Sequence, residues 1–267
     1  MLIVPTDASV MTQHPPLAIR ESATVQLAGL ILIVAACPVI TAMAGSLETL
    51  LLAHAVSLLA GGLLLQETRT DHQTRSEVVR QSHFLVLNEQ LQSRRTMGVL
   101  SFVCVALAFT LLFSLGGSSS LASIEATLRE SYRPARAELI VGDGSILGVA
   151  AVVLLFVGVP TQFGLFPMHG VLMNSFDTAP ATIAGLSAVL QRCQAAIVLW
   201  KVASVAMPGF ESTTHLLCLV FGTSSCVGGA ILVCRSESLR SLASTFWITW
   251  GGVTLVAAAT GVMARHP

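Results

Sequence analysis

Charge is scarce in this sequence: only 10% of its 267 residues are Asp, Glu, Lys or Arg, against about 25% in soluble domains. Lysine is nearly missing. Lys201 is the only one, so the cationic side chains are arginines almost throughout. Basic and acidic residues balance at 14 each, for a formal net charge of zero. This leaves no electrostatic footprint for nucleic acid or an acidic partner. The six cysteines all lie in apolar stretches, and none forms a CxxC or a Cys/His pair at metal-ligand spacing. They read as small apolar residues, with neither a metal site nor a disulfide framework expected. There is no Gly-x-Ser-x-Gly, HExxH, Walker loop or dinucleotide fingerprint, so no catalytic site is expected in this chain alone.

Apolar sequence is abundant, at 54%. A membrane-spanning helix needs roughly 20 mostly apolar residues. Seven stretches qualify, at about 26–44, 47–66, 97–115, 146–171, 180–206, 213–234 and 242–263. The expectation is an all-α, polytopic membrane helix bundle of about seven transmembrane helices in contact with the lipid bilayer. A polar segment, 1–25, with Pro15 and Pro16, precedes a membrane domain over 26–263. That segment lacks the basic region, short apolar core and cleavage site of a signal peptide. Gly45 and its neighbours join the first two spans as a tight hairpin.

Two polar blocks interrupt the spans. Residues 67–96 carry Arg69, Arg75, Arg80, Arg94 and Arg95, and 116–145 opens on Gly116, Gly117 and three serines with mixed charges. With seven spans, 67–96 and the Arg235–Arg240 turn share one side. The positive-inside rule places that side in the cytoplasm, giving N-terminus in and C-terminus out.

The fourth span is irregular, reading GVPTQFGLFPMHG from Gly158 to Gly170. Pro160 and Pro167 each remove a backbone donor and crowd the preceding turn, and Gly164 weakens the helix further. One span is therefore expected to be proline-broken. Such breaks survive in lipid where protein or water satisfies the freed carbonyls. They often mark ion or substrate paths in transporters, and a kinked helix packed for shape reads the same way.

The stretch TQFGLFPMHGVLMNSFDTAPATIAGLSAVLQRCQAAIVLWK, Thr161 to Lys201, resembles the antiporter-like subunits of NADH-quinone oxidoreductase, respiratory complex I. In that family a lysine on a broken helix precedes Pro-Phe-His, an Ala-Pro pair follows, and the next helix bears a second lysine. Here Phe166, Pro167, His169, Asp177, Ala179 and Pro180 keep the spacing. LLLAHAVSLLAGGLL from Leu50, NEQLQSRRTMGVLSF from Asn88 and RSESLRSLASTFWITWGG from Arg235 follow the family's order. Subunit N is the best match among the sister subunits, over roughly 26–263.

The resemblance implies proton translocation at an inner membrane, along a chain of buried titratable groups, with other membrane subunits of complex I as partners. It implies no cofactor in this chain: NADH, flavin, iron–sulfur clusters and quinone belong to partner subunits or their interfaces. At nearly every switch position the sequence departs from the family. The glutamate position is His54, the broken-helix lysine is Gln162, and the second lysine is Arg192. Ser93, Leu239 and Thr249 replace further family residues.

Gln162 hydrogen-bonds without titrating. Arg192 stays protonated where lysine can release a proton. It is roughly 20 Å from Pro180 at 1.5 Å per residue, near mid-bilayer, as a fixed cation that either orders water or pairs with a partner. His54 reads either as a protonation switch or as a neutral histidine bonded to a carbonyl. His169, beside the break, is a candidate to line a hydrated path. Lys201 reads as an interface anchor, Asp177 as a cap, and Trp200, Trp247 and Trp250 as packing or interface residues. Proton-path candidates are thus His54, Gln162, His169 and Arg192, around a break at Pro160, Gly164 and Pro167. A non-pumping structural paralogue and a subunit of a multi-subunit cation/proton antiporter are the alternatives.

Overall fold

A computed structural model describes residues 17–73, 80–131, 143–170 and 181–263. Over them the chain is helical: α1 Leu17–Met43, α2 Leu47–Gln73, α3 Arg80–Gly116, α4 Leu121–Ser131, α5 Asp143–Phe163, α6 Ala181–Cys234 and α7 Leu239–Met263. Among the described residues, five segments are long and apolar enough to cross a membrane: Val25–Met43, Leu47–Leu64, Arg95–Gly116, Ser212–Cys234 and Ser241–Thr260. A shorter apolar run, Ile146–Gln162, lies in α5. The protein is an all-α, polytopic membrane bundle.

The bundle is apolar outside as well as inside. Leu32, Met43, Leu52, Leu59, Leu216 and Val227 are exposed, while Leu50, Leu112, Leu155, Phe156 and Ile248 are buried. Polar residues of the spans instead turn inward: Thr41, His54, Ser57, Ser101, Gln194 and Ser225 are all buried. Lipid accepts the outer side chains without cost, and buried polar groups find partners only inside.

Three departures from the sequence expectation have local causes. Most of the polar block 67–96 is helical, since α2 continues to Gln73 and α3 begins at Arg80. No glycine or proline occurs between Leu63 and Met97, so nothing punctuates the helices where the apolar runs stop. The second polar block contains α4. Its Leu121, Ile124 and Leu128 are buried at helical spacing, while Glu125 and Arg129 form an i,i+4 ion pair at 2.7 Å on the outer side. The expected spans 180–206 and 213–234 form one kinked element. Helix φ/ψ fails only at Phe210 (φ −134°, ψ 33°), just after Pro208 and Gly209, the pair that disrupts a helical hydrogen-bond ladder.

α6 is the hub, packing against α1, α2, α4, α5 and α7. Its second half meets α7 backbone to backbone. A Cβ on Gly252 would lie 2.6 Å from the Gly222 carbonyl oxygen and 2.8 Å from the Cys226 amide, so glycine is what permits the approach. At the other end, α2 and α4 start side by side. The Leu47 amide donates to the Ser119 carbonyl (2.8 Å) and the Leu121 amide to the Gly45 carbonyl (3.0 Å). Gly117, at φ 64°, turns the chain between α3 and α4.

A polar site at a broken helix

α5 stops at Phe163. Pro160 lies inside its last turn, and its own carbonyl accepts the Leu165 amide at 3.1 Å. Gly164 takes φ 63°, the left-handed conformation that closes helix C-termini. The helix therefore ends at Gly164, and residues 165–169 form turns rather than completing the expected span to 171. The Phe166–Pro167 peptide is cis.

Three neighbours locate this end. The Gly158 carbonyl accepts hydrogen bonds from Ser101 Oγ (2.7 Å) and Thr161 Oγ1 (2.6 Å). A Cβ on Gly158 would touch Val105, Cys104 and the Ser101 carbonyl, in α3. Gln162 Nε2 lies 3.4 Å from Nε2 of His54, close to the middle of the Leu47–Leu64 span. The Phe166 amide donates to Ser225 Oγ at 3.0 Å, close to the middle of the Ser212–Cys234 span. The break thus sits beside the middles of two spans, at half their depth.

His54 is fully buried. Its Nδ1 and Gln162 Oε1 have no hydrogen-bond partner among the described residues. An amide N–H donates only to an unprotonated ring nitrogen, so the present contact fits an unprotonated His54 Nε2. Turning the Gln162 amide over offers Oε1 instead, an acceptor for a protonated Nε2. The pair can therefore accommodate both states of the imidazole without Gln162 itself gaining or losing a proton.

Arg192 is 6% exposed. Its guanidinium carbon lies 5.1 Å from the centre of the Trp247 ring, and Nε, Nη1 and Nη2 have no hydrogen-bond partner among the described residues. The indole face is the compensation on view, worth up to about 2 kcal/mol for a desolvated cation. His169 is half-buried, with its ring stacked on Phe166 (5.2 Å between centres, 11° between planes) and Nδ1 3.1 Å from the Pro167 carbonyl oxygen.

Of the four path candidates, His54 and Gln162 are in contact, while Arg192 and His169 each have separate partners. Asp177 and the Ala179–Pro180 pair lie outside the described residues. No protein-family model matches the chain, and no curated protein matches it. Among the described residues, no group of three or more His, Cys, Asp or Glu side chains could hold a metal ion, and all six cysteines are free thiols.

The sequence reading missed several residues. Lys201, read as an interface anchor, donates to the Ala44 carbonyl just past the end of α1, where a cation offsets orphan carbonyls. Gln194 donates to Thr41, whose hydroxyl in turn donates to the Cys37 carbonyl at 2.7 Å. Trp247, read as packing or interface, carries the Arg192 charge. Ser225 and Gly228 receive the broken end. None of these belongs to a local motif, because each pairing joins residues far apart in the chain. The available signal was weaker: a polar residue inside an apolar span needs a partner within the bundle.

Proposed function

We propose that this chain is a membrane-arm subunit of a proton-translocating NADH-quinone oxidoreductase, of the subunit N type. It contributes to, or structurally supports, proton transfer coupled to quinone reduction. The observation that carries the reading is the contact between His54 and Gln162 at a helix end half-way along the spans. A broken helix at that depth presents backbone and side-chain polar groups where lipid cannot satisfy them, and His54 supplies an imidazole, a side chain able to gain or lose a proton. The arrangement of family-like segments, from the helix of His54 to the Arg235–Arg240 turn, supports the same reading. The protein would lie in an inner membrane with its N-terminus cytoplasmic and its C-terminus outside, among other complex I membrane subunits. NADH, flavin, iron–sulfur clusters and quinone would be held by those partners.

One observation favours a structural, non-pumping role within such a complex. The two lysine positions are occupied by an amide that does not titrate and by an arginine clasped to an indole. A multi-subunit cation/proton antiporter is the remaining reading.

Purification of the tagged full-length chain in mild detergent should recover complex I membrane subunits, and vesicles containing that complex should take up protons when given NADH. Gln162→Lys with Arg192→Lys should raise uptake if the chain lies on the path. Unchanged uptake favours the structural role. Recovery without complex I subunits, together with sodium- or potassium-driven proton exchange, would replace the proposal with the antiporter reading.

A further inference from the structure

We infer that Ser225 and Gly228 form a cradle on α6 that positions His169 through Phe166 and leaves Nε2 as the proton-accepting atom of that imidazole. Its use in proton transfer rests on the proposed function; the cradle itself does not.

The inference starts from a backbone donor. Because α5 ends at Phe163, the Phe166 amide has no place in the helix ladder, and an unpaired N–H at this depth is strongly disfavoured. A hydroxyl from another helix takes it: Ser225 is fully buried and accepts that amide at 3.0 Å. One turn further along α6, Gly228 leaves room for the ring of the same residue. A Cβ there would lie 2.8 Å from Phe166 Cδ2 and 3.1 Å from Cγ. Phe166 is thus fixed at both backbone and ring.

His169 is carried by that ring, stacked at 5.2 Å and 11°. Its Nδ1 faces the Pro167 carbonyl oxygen at 3.1 Å. A carbonyl only accepts, so Nδ1 holds the hydrogen and donates it, and the neutral ring keeps its lone pair on Nε2. The half-buried ring then offers Nε2 to water or to a neighbouring group. Ser225 touches no transferred proton; it is a positioning residue, acting through Phe166.

The test reads the tautomer directly. The full chain, with 15N-labelled histidine, is placed in lipid nanodiscs at about pH 8.5, where an ordinary imidazole is neutral, and His169→Gln identifies its signals. The wild type should show His169 in the Nδ1–H form. Ser225→Ala should lose that single form to a mixture, Ser225→Thr should keep it, and Gly228→Ala should reproduce the loss by displacing the Phe166 ring. A wild-type His169 in the Nε2–H form overturns the inference. So does a folded Ser225→Ala protein with an unchanged spectrum. Within the complete complex in vesicles, proton uptake should fall several-fold in Ser225→Ala and return in Ser225→Thr. An Nδ1–H spectrum in a complex that takes up no protons sinks the proposed function and leaves the cradle standing.

Discussion

A buried arginine with no carboxylate partner among the described residues is costly, and Arg192 shows how one indole can offset part of that cost. Its three nitrogens are buried and lack hydrogen-bond partners among the described residues, while Trp247 lies under its guanidinium carbon. The two partners should therefore respond oppositely to substitution. Trp247→Leu removes the ring and leaves the charge, so thermal unfolding in detergent should show a loss of about 2–4 kcal/mol. Arg192→Met removes a buried charge and keeps the length of the side chain, so stability should stay level or rise, as when buried ions give way to apolar residues. Equal destabilisation by both would mean that the arginine has a polar partner in the membrane. Lys201 belongs to the same scale. Lys201→Met leaves the Ala44 carbonyl without its donor and should lower stability by about 1–3 kcal/mol in the same measurement.

Among the elements, α6 does most to organise the bundle. Its first half is tied to α1 by Gln194 and Lys201, and its second half receives α7 and the broken end of α5. The kink at Phe210 lies between these halves, and Arg192 of the first half also reaches Trp247 of α7. The kink seats the Phe210 ring against α5, where a Cβ on Gly148 would overlap the ring at 1.8 Å. The α6–α7 seam includes close backbone contact at Gly222 and Gly252. Gly252→Val places branched carbons against the Gly222 carbonyl and the Cys226 amide, so α7 should shift outward. The expected cost is about 1–3 kcal/mol or more, read as a lower unfolding midpoint, and loss of any disulfide designed across the seam would show the displacement. A Gly252→Val protein as stable as wild type would mean that close approach of the two backbones contributes nothing to the seam.

At the scale of the whole molecule, the prediction concerns depth. Two independent contacts place the end of α5 beside the middles of neighbouring spans. A spin label at Pro167→Cys in a cysteine-free background should report a depth close to that of a label at the exposed, mid-span Val227→Cys. Both should lie far from a label at Glu125→Cys on α4, whose side chain lies on the exposed face of that helix. A Pro167 label reporting the membrane surface would remove the basis for a polar site within the bilayer. Conversely, mid-depth there would make lipid an unsuitable neighbour for His169, which is only half-buried by this chain.

The sequence alone determined that the chain is helical and lives in lipid, because length and apolarity of a segment decide its solvent whatever it packs against. It also marked where the ladder fails, since proline and glycine act on their own backbone: Pro160 and Gly164 stand where α5 ends, and Pro208 and Gly209 where α6 bends. Periodicity could not show how far α2 and α3 run beyond their apolar parts, nor that 116–145 holds an amphipathic helix, because helix persistence there depends on contacts made by Leu121, Ile124 and Leu128. Which polar groups meet was decided by tertiary structure alone. His54 with Gln162, Arg192 with Trp247, Phe166 with Ser225, and Lys201 with Ala44 are separated by 108, 55, 59 and 157 residues. Such pairs form because a bundle in lipid has only its own interior in which to satisfy polar atoms, and helix packing selects which atoms share it.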